Sequence, residues 1–471
     1  MSDNRQRNVI VIGGGPGGYP AAIRAARLGG VVTLVDKGGL GGTCLHRGCI
    51  PTKSMLKFVH DYQVMKRVLK EAGGGPPPAP SLTAMMNQKN DAIRHLSAGT
   101  RALLEKNGVR IVSGTAVFQN RHTVRVLETG EELPFSAAII ATGSKSMELP
   151  IEGLDYPGVL NSDRILDIKE IPVSLTVIGG GYIGLEFAQI FQALGVRVTV
   201  VELLENILPT EDPDVAQSLM KIMKSTGIIF YTAARVTRIS LADETLCITI
   251  EKEGREDKLF SDRVLLAVGR RAYTEGLGLE NIGIRVQGNG AIAVNKHMET
   301  SVPGIFAVGD AVGGVMLAHK ASAEGETAAC CAVGIPSTAP YRVIPSVMYT
   351  KPEVARVGLL EGVAREKYGE ILIGRFPFAA NGRAVLEGNS QGFVKVIAEA
   401  KSECIVGVSI LGPDAGHLIG EAALAVEMEA TLADVADTVH AHPTLSEAFR
   451  EAVLDAKGEA VHIPPTLKKV R

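Results

Sequence analysis

No run of about 18 apolar residues occurs anywhere in the chain, so a membrane-spanning helix is not expected. No C-x-x-C pair is present among Cys44, Cys49, Cys247, Cys330, Cys331 and Cys404. That removes the usual zinc-ligand spacing, and no metal site is expected. An excess of one charge is also missing. Lysine and arginine number 49 against 51 aspartates and glutamates, so no dedicated nucleic-acid surface is expected. Met1 to Asn8 contains no apolar signal-peptide core and leads directly towards a strand. A cytoplasmic chain is therefore expected. Thiols there are normally reduced, so any disulfide should be catalytic rather than structural. The balance of apolar and charged residues is that of an ordinary soluble globular protein, and 471 residues suffice for two to four domains.

Against these absences stands a glycine pattern that occurs twice. Asn8–Ile12 is a short apolar run of buried-strand type, followed by Gly13-Gly14-Gly15-Pro16-Gly17-Gly18 and an Ala-rich stretch, Ala21–Leu28, of helical composition. Val31–Val35 then ends at Asp36. Strand, G-x-G-x-x-G turn, helix, strand and acid together form the dinucleotide fingerprint: the glycines admit a pyrophosphate to a helix start and the acid holds a ribose hydroxyl. The second copy runs from Leu175–Ile178 through Gly179-Gly180-Gly181-Tyr182-Ile183-Gly184 to Val198–Val201 and Glu202. First glycine and acid are 23 residues apart in both copies. Two dinucleotide-binding domains, and hence two cofactors, are expected. At the second, Glu202 should accept from a free ribose 2′-hydroxyl and repel a 2′-phosphate, and Leu203-Leu204 supply no arginine to reverse that preference. NAD is expected over NADP.

Elsewhere, a helix is expected to about Ala72, a breaker-rich loop at Gly73–Pro80, a second long helix over Asn90–Lys106 and short strands between Gly108 and Leu133. Apolar strands enter small-residue turns at Ile139–Ser144, Val264–Arg271 and Gly304–Asp310. From about Tyr341 alternating strands and helices imply an α+β domain.

Cys44 and Cys49 taken alone read as small buried hydrophobes. Their position, after the first dinucleotide fold and at an expected helix start, favours a redox-active pair instead. Residues five apart in a regular α-helix have Cα atoms about 8.6 Å apart, beyond the roughly 7 Å a disulfide spans. An irregular turn is required, which Gly48 and Pro51 can supply. A helix start also favours the thiolate that exchange chemistry uses. Cys330 and Cys331 lie in an apolar helical context and are read as core, as are Cys247 and Cys404.

Gly41–Lys53 (GGTCLHRGCIPTK), the two fingerprints, Ala141–Ser144 (ATGS), Gly309-Asp310 and His440–Glu447 (HAHPTLSE) together resemble the flavin-dependent pyridine nucleotide–disulfide oxidoreductases. Within that family they are most similar to its dihydrolipoyl dehydrogenase branch. The likeness runs from Val9 to about Val453. It implies an α/β fold with two Rossmann-like domains and a C-terminal α+β dimerisation domain. The expected boundaries are 1–147 and 273–340 for FAD, 148–272 for NAD and 341–471 for the homodimer interface. It implies FAD contacts from Gly13, Gly15, Gly18, Asp36, Lys37, Gly42, Thr43, Lys53, Ala116, Thr142, Gly143, Ser144, Asp310, Met316, Leu317, Ala318 and His319. NAD contacts are implied for Gly179, Gly181, Tyr182, Ile183, Gly184, Glu202, Val236 and Gly269.

By the same resemblance Cys49 lies beside the flavin as a charge-transfer thiolate, Cys44 meets the substrate, and Lys53 pairs with Glu186 near the isoalloxazine edge. His442, oriented by Glu447, is the implied base, reaching the active site across a homodimer interface; histidine suits that task because it titrates near neutrality. The implied reaction is oxidation of dihydrolipoamide on a lipoyl-bearing carrier, an acyltransferase subunit of a 2-oxo acid dehydrogenase complex or a glycine-cleavage carrier. NAD+ is the implied acceptor. No lipoyl domain precedes Asn8, so the carrier is expected in trans. Asp36 stands where many relatives carry Glu, Lys351 where histidine is frequent and Ala272 where proline is frequent. A glutathione-type reductase would want basic residues after Glu202, a mercuric reductase a cysteine pair in Lys457–Arg471, and a soluble transhydrogenase would lack one active-site cysteine. A redox-inactive flavoprotein would not need Cys44, Cys49, His442 and Glu447 intact.

Overall fold

In the computed structural model the described residues are 7–464. The polar N-terminus up to Gln6 and the tail beyond Pro464 lie outside them. Two compact units emerge. One comprises the chain to Pro150, Leu160–Glu170 and Val268–Pro340; the other comprises Ile151–Val159, Ile171–Ala267 and the chain from Tyr341.

The first unit is built on five parallel strands in the order Ile305–Ala307, Ala137–Ile140, Asn8–Ile12, Val31–Asp36 and Arg110–Ser113. The near-continuous apolar sequences of the central strands follow from burial on both faces. Val9, Val11, Leu34 and Ile139 face one core, with Ala21, Ala22 and Ala25 of the helix Gly18–Arg27 and Ala328, Ala329 and Ala332 of the helix Ala318–Ala332. Small alanines on both helices let their backbones approach the sheet and each other closely. Ile10, Ile12, Ala138 and Ile140 face a second core with Phe118 and Phe135, whose rings meet edge-on at 5.9 Å.

The long helix after the breaker loop starts at Leu82 rather than Asn90 and runs to Lys106. Ser81 explains the earlier start: its side chain accepts the Ala84 N–H at 3.1 Å, capping the first turn. Gly73–Pro80 carries no regular structure, as expected.

The second unit repeats the theme with parallel strands Ile229–Tyr231, Arg197–Val201, Ser174–Ile178 and Arg263–Leu266 side by side. It also contains an antiparallel sheet ordered Ser346–Met348, Glu353–Gly358, Ile405–Gly412, Phe393–Glu399 and Ile371–Pro377. Helices Ala415–Glu427 and Glu447–Lys457 cover one face of that sheet. Helix Glu447–Lys457 lies so close that a Cβ on Gly374 would fall 1.8 Å from Ala452 O. Asp455 Oδ2 accepts the Arg375 N–H at 2.8 Å and fixes the register of helix on strand. Burying Phe449 on that face contributes about 2–3 kcal/mol.

Candidate active site

The two glycine loops have matching geometry, which explains why the same residue types recur. Gly13 N–H donates to Val35 O at 2.8 Å, and Gly179 N–H to Val201 O at 2.8 Å, so each loop leaves its strand by continuing the parallel ladder. The chain then turns with φ of +102° and +108° at these first glycines, a region that side chains with a Cβ rarely adopt. At the third glycine, a Cβ on Gly18 would lie 1.8 Å from Gly13 O and one on Gly184 2.1 Å from Gly179 O, so helix and turn pack backbone to backbone.

The middle glycines differ. A Cβ on Gly15 would meet only Gly42 Cα, at 3.7 Å, and one on Gly181 would meet nothing within 4 Å. Contacts within the protein therefore do not require glycine at either position. Room is left there for an external group to approach the backbone, which fits a dinucleotide pyrophosphate at both loops. The acids reinforce the match. Asp36 Oδ2 accepts the Gly14 N–H at 2.7 Å and Glu202 Oε2 the Gly180 N–H at 2.6 Å. Each acid thus bridges its strand end to the loop it serves.

The cysteine segment is built directly onto the first loop. Gly41 N–H donates to Gly14 O at 2.8 Å, and a Cβ on Gly42 would fall 2.6 Å from Gly15 Cα. A short helix, Gly42–Arg47, carries Thr43 and Cys44. At Gly48 (φ −146°, ψ −110°) the chain breaks, and a new 23-residue helix starts at Cys49 and runs to Glu71. The break brings the Cα atoms of Cys44 and Cys49 to 4.7 Å, and the two are disulfide-bonded. Gly48 makes the irregular turn, whereas Pro51 sits inside the first turn of the new helix, where its missing N–H costs nothing. Both cysteines are half-buried. Lys53 lies on the same helix, in its second turn.

Other expected FAD-site residues of this unit collect at the carboxyl ends of the parallel strands. Ser144 Oγ donates to Asp310 Oδ2 at 2.5 Å and receives Arg270 Nε at 2.8 Å. Thr142 Oγ1 donates to Tyr273 O at 2.6 Å, next to Gly143 at φ +73°. Lys37 Nζ donates to Tyr273 Oη at 2.6 Å and lies 4.2 Å from that ring's centre. Met316, Leu317 and Ala318 are half-buried at the start of helix Ala318–Ala332, with His319 exposed on its first turn. Ala116 is buried at the start of strand Ala116–Asn120. Gly269, at φ +114°, is an expected NAD contact but groups with this unit, apart from the other expected NAD contacts.

In the second unit Tyr182, Ile183 and Gly184 open helix Tyr182–Ala193, while Val236 is buried in strand Arg235–Ala242. Glu202 is 9% exposed, and its Oε1 accepts the Leu204 N–H at 2.8 Å. Glu186 is also buried, and its Oε1 accepts the Tyr349 N–H at 2.9 Å. Tyr182 Oη donates to Glu211 and lies 3.1 Å from Ser346 Oγ, while Arg356 Nε reaches Glu211 Oε1 at 3.3 Å. Burial, and then the Glu211 charge, push the Tyr182 phenol well up. Burial pushes Glu211 up as well, against the opposing pull of Tyr182 and Arg356. Glu211, Ser346 and Arg356 were not legible as companions of the second glycine loop, because they stand 29, 164 and 174 residues from Tyr182.

His442 and Glu447 form a dyad. His442 Nδ1 lies 2.9 Å from Glu447 Oε1, and Glu447 Oε2 accepts the Thr444 N–H at 2.8 Å. Glu447 is the first residue of helix Glu447–Lys457, where unpaired backbone N–H groups favour a negative charge. Burial raises the Glu447 pKa, but the Thr444 N–H, the His442 bond and the His442 and His462 charges outweigh it. The carboxyl lies below its ordinary range. The loop is held from its other side by Asn381 Nδ2, which donates to Thr444 O at 3.0 Å. The His442 side chain is 77% exposed, so its Nε2 edge is open on this chain. His440 differs: at 6% side-chain exposure, its ring nitrogens face Thr438 O at 3.0 Å and Glu421 Oε1 at 2.7 Å. Both ring nitrogens of His440 are thus covered by acceptors of this chain, unlike the exposed ring of His442.

Among the described residues no cluster of three or more ligating side chains could hold a metal ion, and no helix is long and apolar enough to cross a membrane. Cys330 and Cys331 lie in helix Ala318–Ala332, and Cys247 is buried in a strand.

Comparison with known proteins places this geometry. Residues 7–325 match the family described as pyridine nucleotide-disulphide oxidoreductase, and residues 344–453 match its dimerisation domain, which supports a homodimer. The chain is 41% identical over 463 residues to dihydrolipoyl dehydrogenase 2 of Haloarcula marismortui, covering 96% of this chain and 97% of that protein. It is 41% identical over 462 residues to dihydrolipoyl dehydrogenase of Bacillus subtilis, covering 96% and 99%. Among solved structures, LpdA from Mycobacterium tuberculosis superposes with a TM-score of 0.87 at 28% identity, covering 95% of this chain and 99% of that one. The HOCl-induced flavoprotein disulfide reductase RclA from Escherichia coli superposes with a TM-score of 0.85 at 30% identity, with coverage of 95% and 99%.

Proposed function

The chain belongs to the pyridine nucleotide-disulphide oxidoreductases, and from that premise we propose that it is an NAD-dependent enzyme that oxidises protein-bound dihydrolipoamide to lipoamide. The observation that carries this reading is the Cys44–Cys49 disulfide, set at a helix break against the first dinucleotide loop. The names of the relatives at about 40% identity over nearly the whole chain support the substrate. On this reading residues 1–147 and 273–340 bind FAD, 148–272 bind NAD and 341–471 form the homodimer interface. A lipoyl-bearing carrier and a cytoplasmic setting complete it.

His442, holding Nδ1–H towards Glu447, takes a proton from a substrate thiol at Nε2. The thiolate attacks Cys44 Sγ, the Cys44–Cys49 bond breaks, and Cys49 leaves as a thiolate with the bonding pair. The second substrate thiol then attacks its partner sulfur in the mixed disulfide, closing the cyclic lipoyl disulfide and releasing Cys44 as a thiol. Substrate has lost two electrons and two protons; the Cys44/Cys49 pair has gained the electrons. FAD, when bound, carries those two electrons onward to NAD+. Lys53 and Glu186 are assigned to the flavin edge, and Asp310 to the ribityl chain.

Two measurements test this. Steady-state turnover is expected with dihydrolipoamide and NAD+, and not with glutathione disulfide and NADPH; the reverse preference rejects the assignment. In addition, Glu202→Ser should lower the specificity constant for NAD+ about ten- to a hundredfold, corresponding to ~1.5–3 kcal/mol for a hydrogen bond to a charged group. NADP+ should lose nothing, because the repulsion of a 2′-phosphate goes with the carboxylate. Unchanged discrimination in titrations of the two nucleotides would remove Glu202 from the site.

A further inference from the structure

Helix Ala318–Ala332 contains an ion pair that neither the disulfide nor the histidine dyad uses. Lys320 Nζ lies 2.9 Å from Glu324 Oε1, one turn along, with the side chains 7% and 0% exposed. Pairs at this spacing ordinarily lie on solvated faces and contribute little. Here both charges are out of water, an arrangement that is stable only if their remaining donors and acceptors are satisfied.

One turn supplies a further partner to each. Glu324 Oε2 accepts the Gly309 N–H at 2.7 Å, and Lys320 Nζ donates to Gly313 O at 3.0 Å. The two ends of the turn that carries Asp310 are thus tied to opposite members of a single pair. The same helix also holds the first glycine loop. Ser322 Oγ donates to Pro16 O at 2.9 Å, and a Cβ on Gly325 would fall 2.2 Å from Gly17 O. One helix therefore sets the spacing between the phosphate loop and the Asp310 turn.

We infer that Lys320 and Glu324 are positioning residues for FAD, holding Asp310 in register with the Gly13–Gly18 loop. This rests on the assignment of FAD to the first unit. The two side chains act through the turn, and a turn already fixed in its binding geometry spares the ordering cost of the bound state.

The test is release of flavin from purified holoprotein, followed by the rise in flavin fluorescence, with thermal melting recorded in parallel. K320M and E324Q are each expected to release FAD at least about tenfold faster than wild type, equivalent to ~1.4 kcal/mol. K320M/E324Q leaves no buried charge unpaired and keeps an acceptor for Gly309. It covers the case where a single variant does not fold, and should release FAD at least about tenfold faster too. T327V is the control: Thr327 is buried on the same helix and its hydroxyl donates to Ala323 O within that helix. It should release FAD at the wild-type rate, whatever its melting temperature. Wild-type release rates in K320M/E324Q overturn the inference, as does acceleration in T327V equal to that in the pair variants. Wild-type protein that neither carries nor takes up FAD overturns the underlying FAD assignment with it.

Discussion

Cys44→Ser and Cys49→Ser are each expected to lower dithiol oxidation by on the order of 10⁴-fold or more, because neither variant can form the bond that the substrate thiolate attacks. The two variants differ in what remains. Cys49 is the first residue of a 23-residue helix, whereas Cys44 sits within the six-residue helix before the Gly48 break. The unpaired N–H groups of the longer helix favour negative charge on Cys49. In thiol–disulfide exchange the sulfur better able to carry charge leaves, and its partner is attacked. Attack on Cys44 and expulsion of Cys49 are therefore predicted. Absorbance spectra of the FAD-loaded variants check this polarity. Cys44→Ser should show long-wavelength thiolate-to-flavin absorbance without added reductant, and Cys49→Ser should not. The opposite pattern would exchange the roles of the two cysteines and reverse the direction of attack.

How much of this was legible in the sequence depended on how local the physics is. The strand, glycine turn, helix and acid of each dinucleotide unit lie within about 30 residues and rest on backbone rules, so both were readable. The Cys44–Cys49 pair was readable from its position after the first glycine loop and at a helix start; its five-residue spacing demanded a break in the helix, which Gly48 makes. The start of the second long helix was not placed correctly, since Ser81 caps it from behind a proline-rich loop. Lys320 and Glu324 show the opposite difficulty. Their i,i+4 spacing is plain, but that spacing usually marks a solvated face, and only the fold shows that two loops close over it. The cluster around Tyr182 could not be read at all: Glu211, Ser346 and Arg356 come from three separate segments and share no motif.

Replacing His442 by Gln is expected to lower turnover about 10²–10⁴-fold, the usual contribution of a positioned general base. The geometry gives this loss a distinctive pH dependence. Glu447 has a depressed pKa, so its charge favours the folded loop above the ordinary carboxylate range. That contribution fades only as pH falls through the lowered value. Glu447 thus stays charged through neutral and mildly acidic pH and continues to hold Nδ1 as the donor. A loss of wild-type turnover over that interval is therefore not a loss of the Glu447 charge. His442→Gln should flatten this acid limb as well as lower the plateau. Glu447→Gln should fall between wild type and His442→Gln, since an amide oxygen can still accept from Nδ1–H but carries no charge to stabilise the protonated ring. Turnover measured against pH for all three proteins decides the matter. An acid limb that persists unchanged in His442→Gln assigns the base to another group.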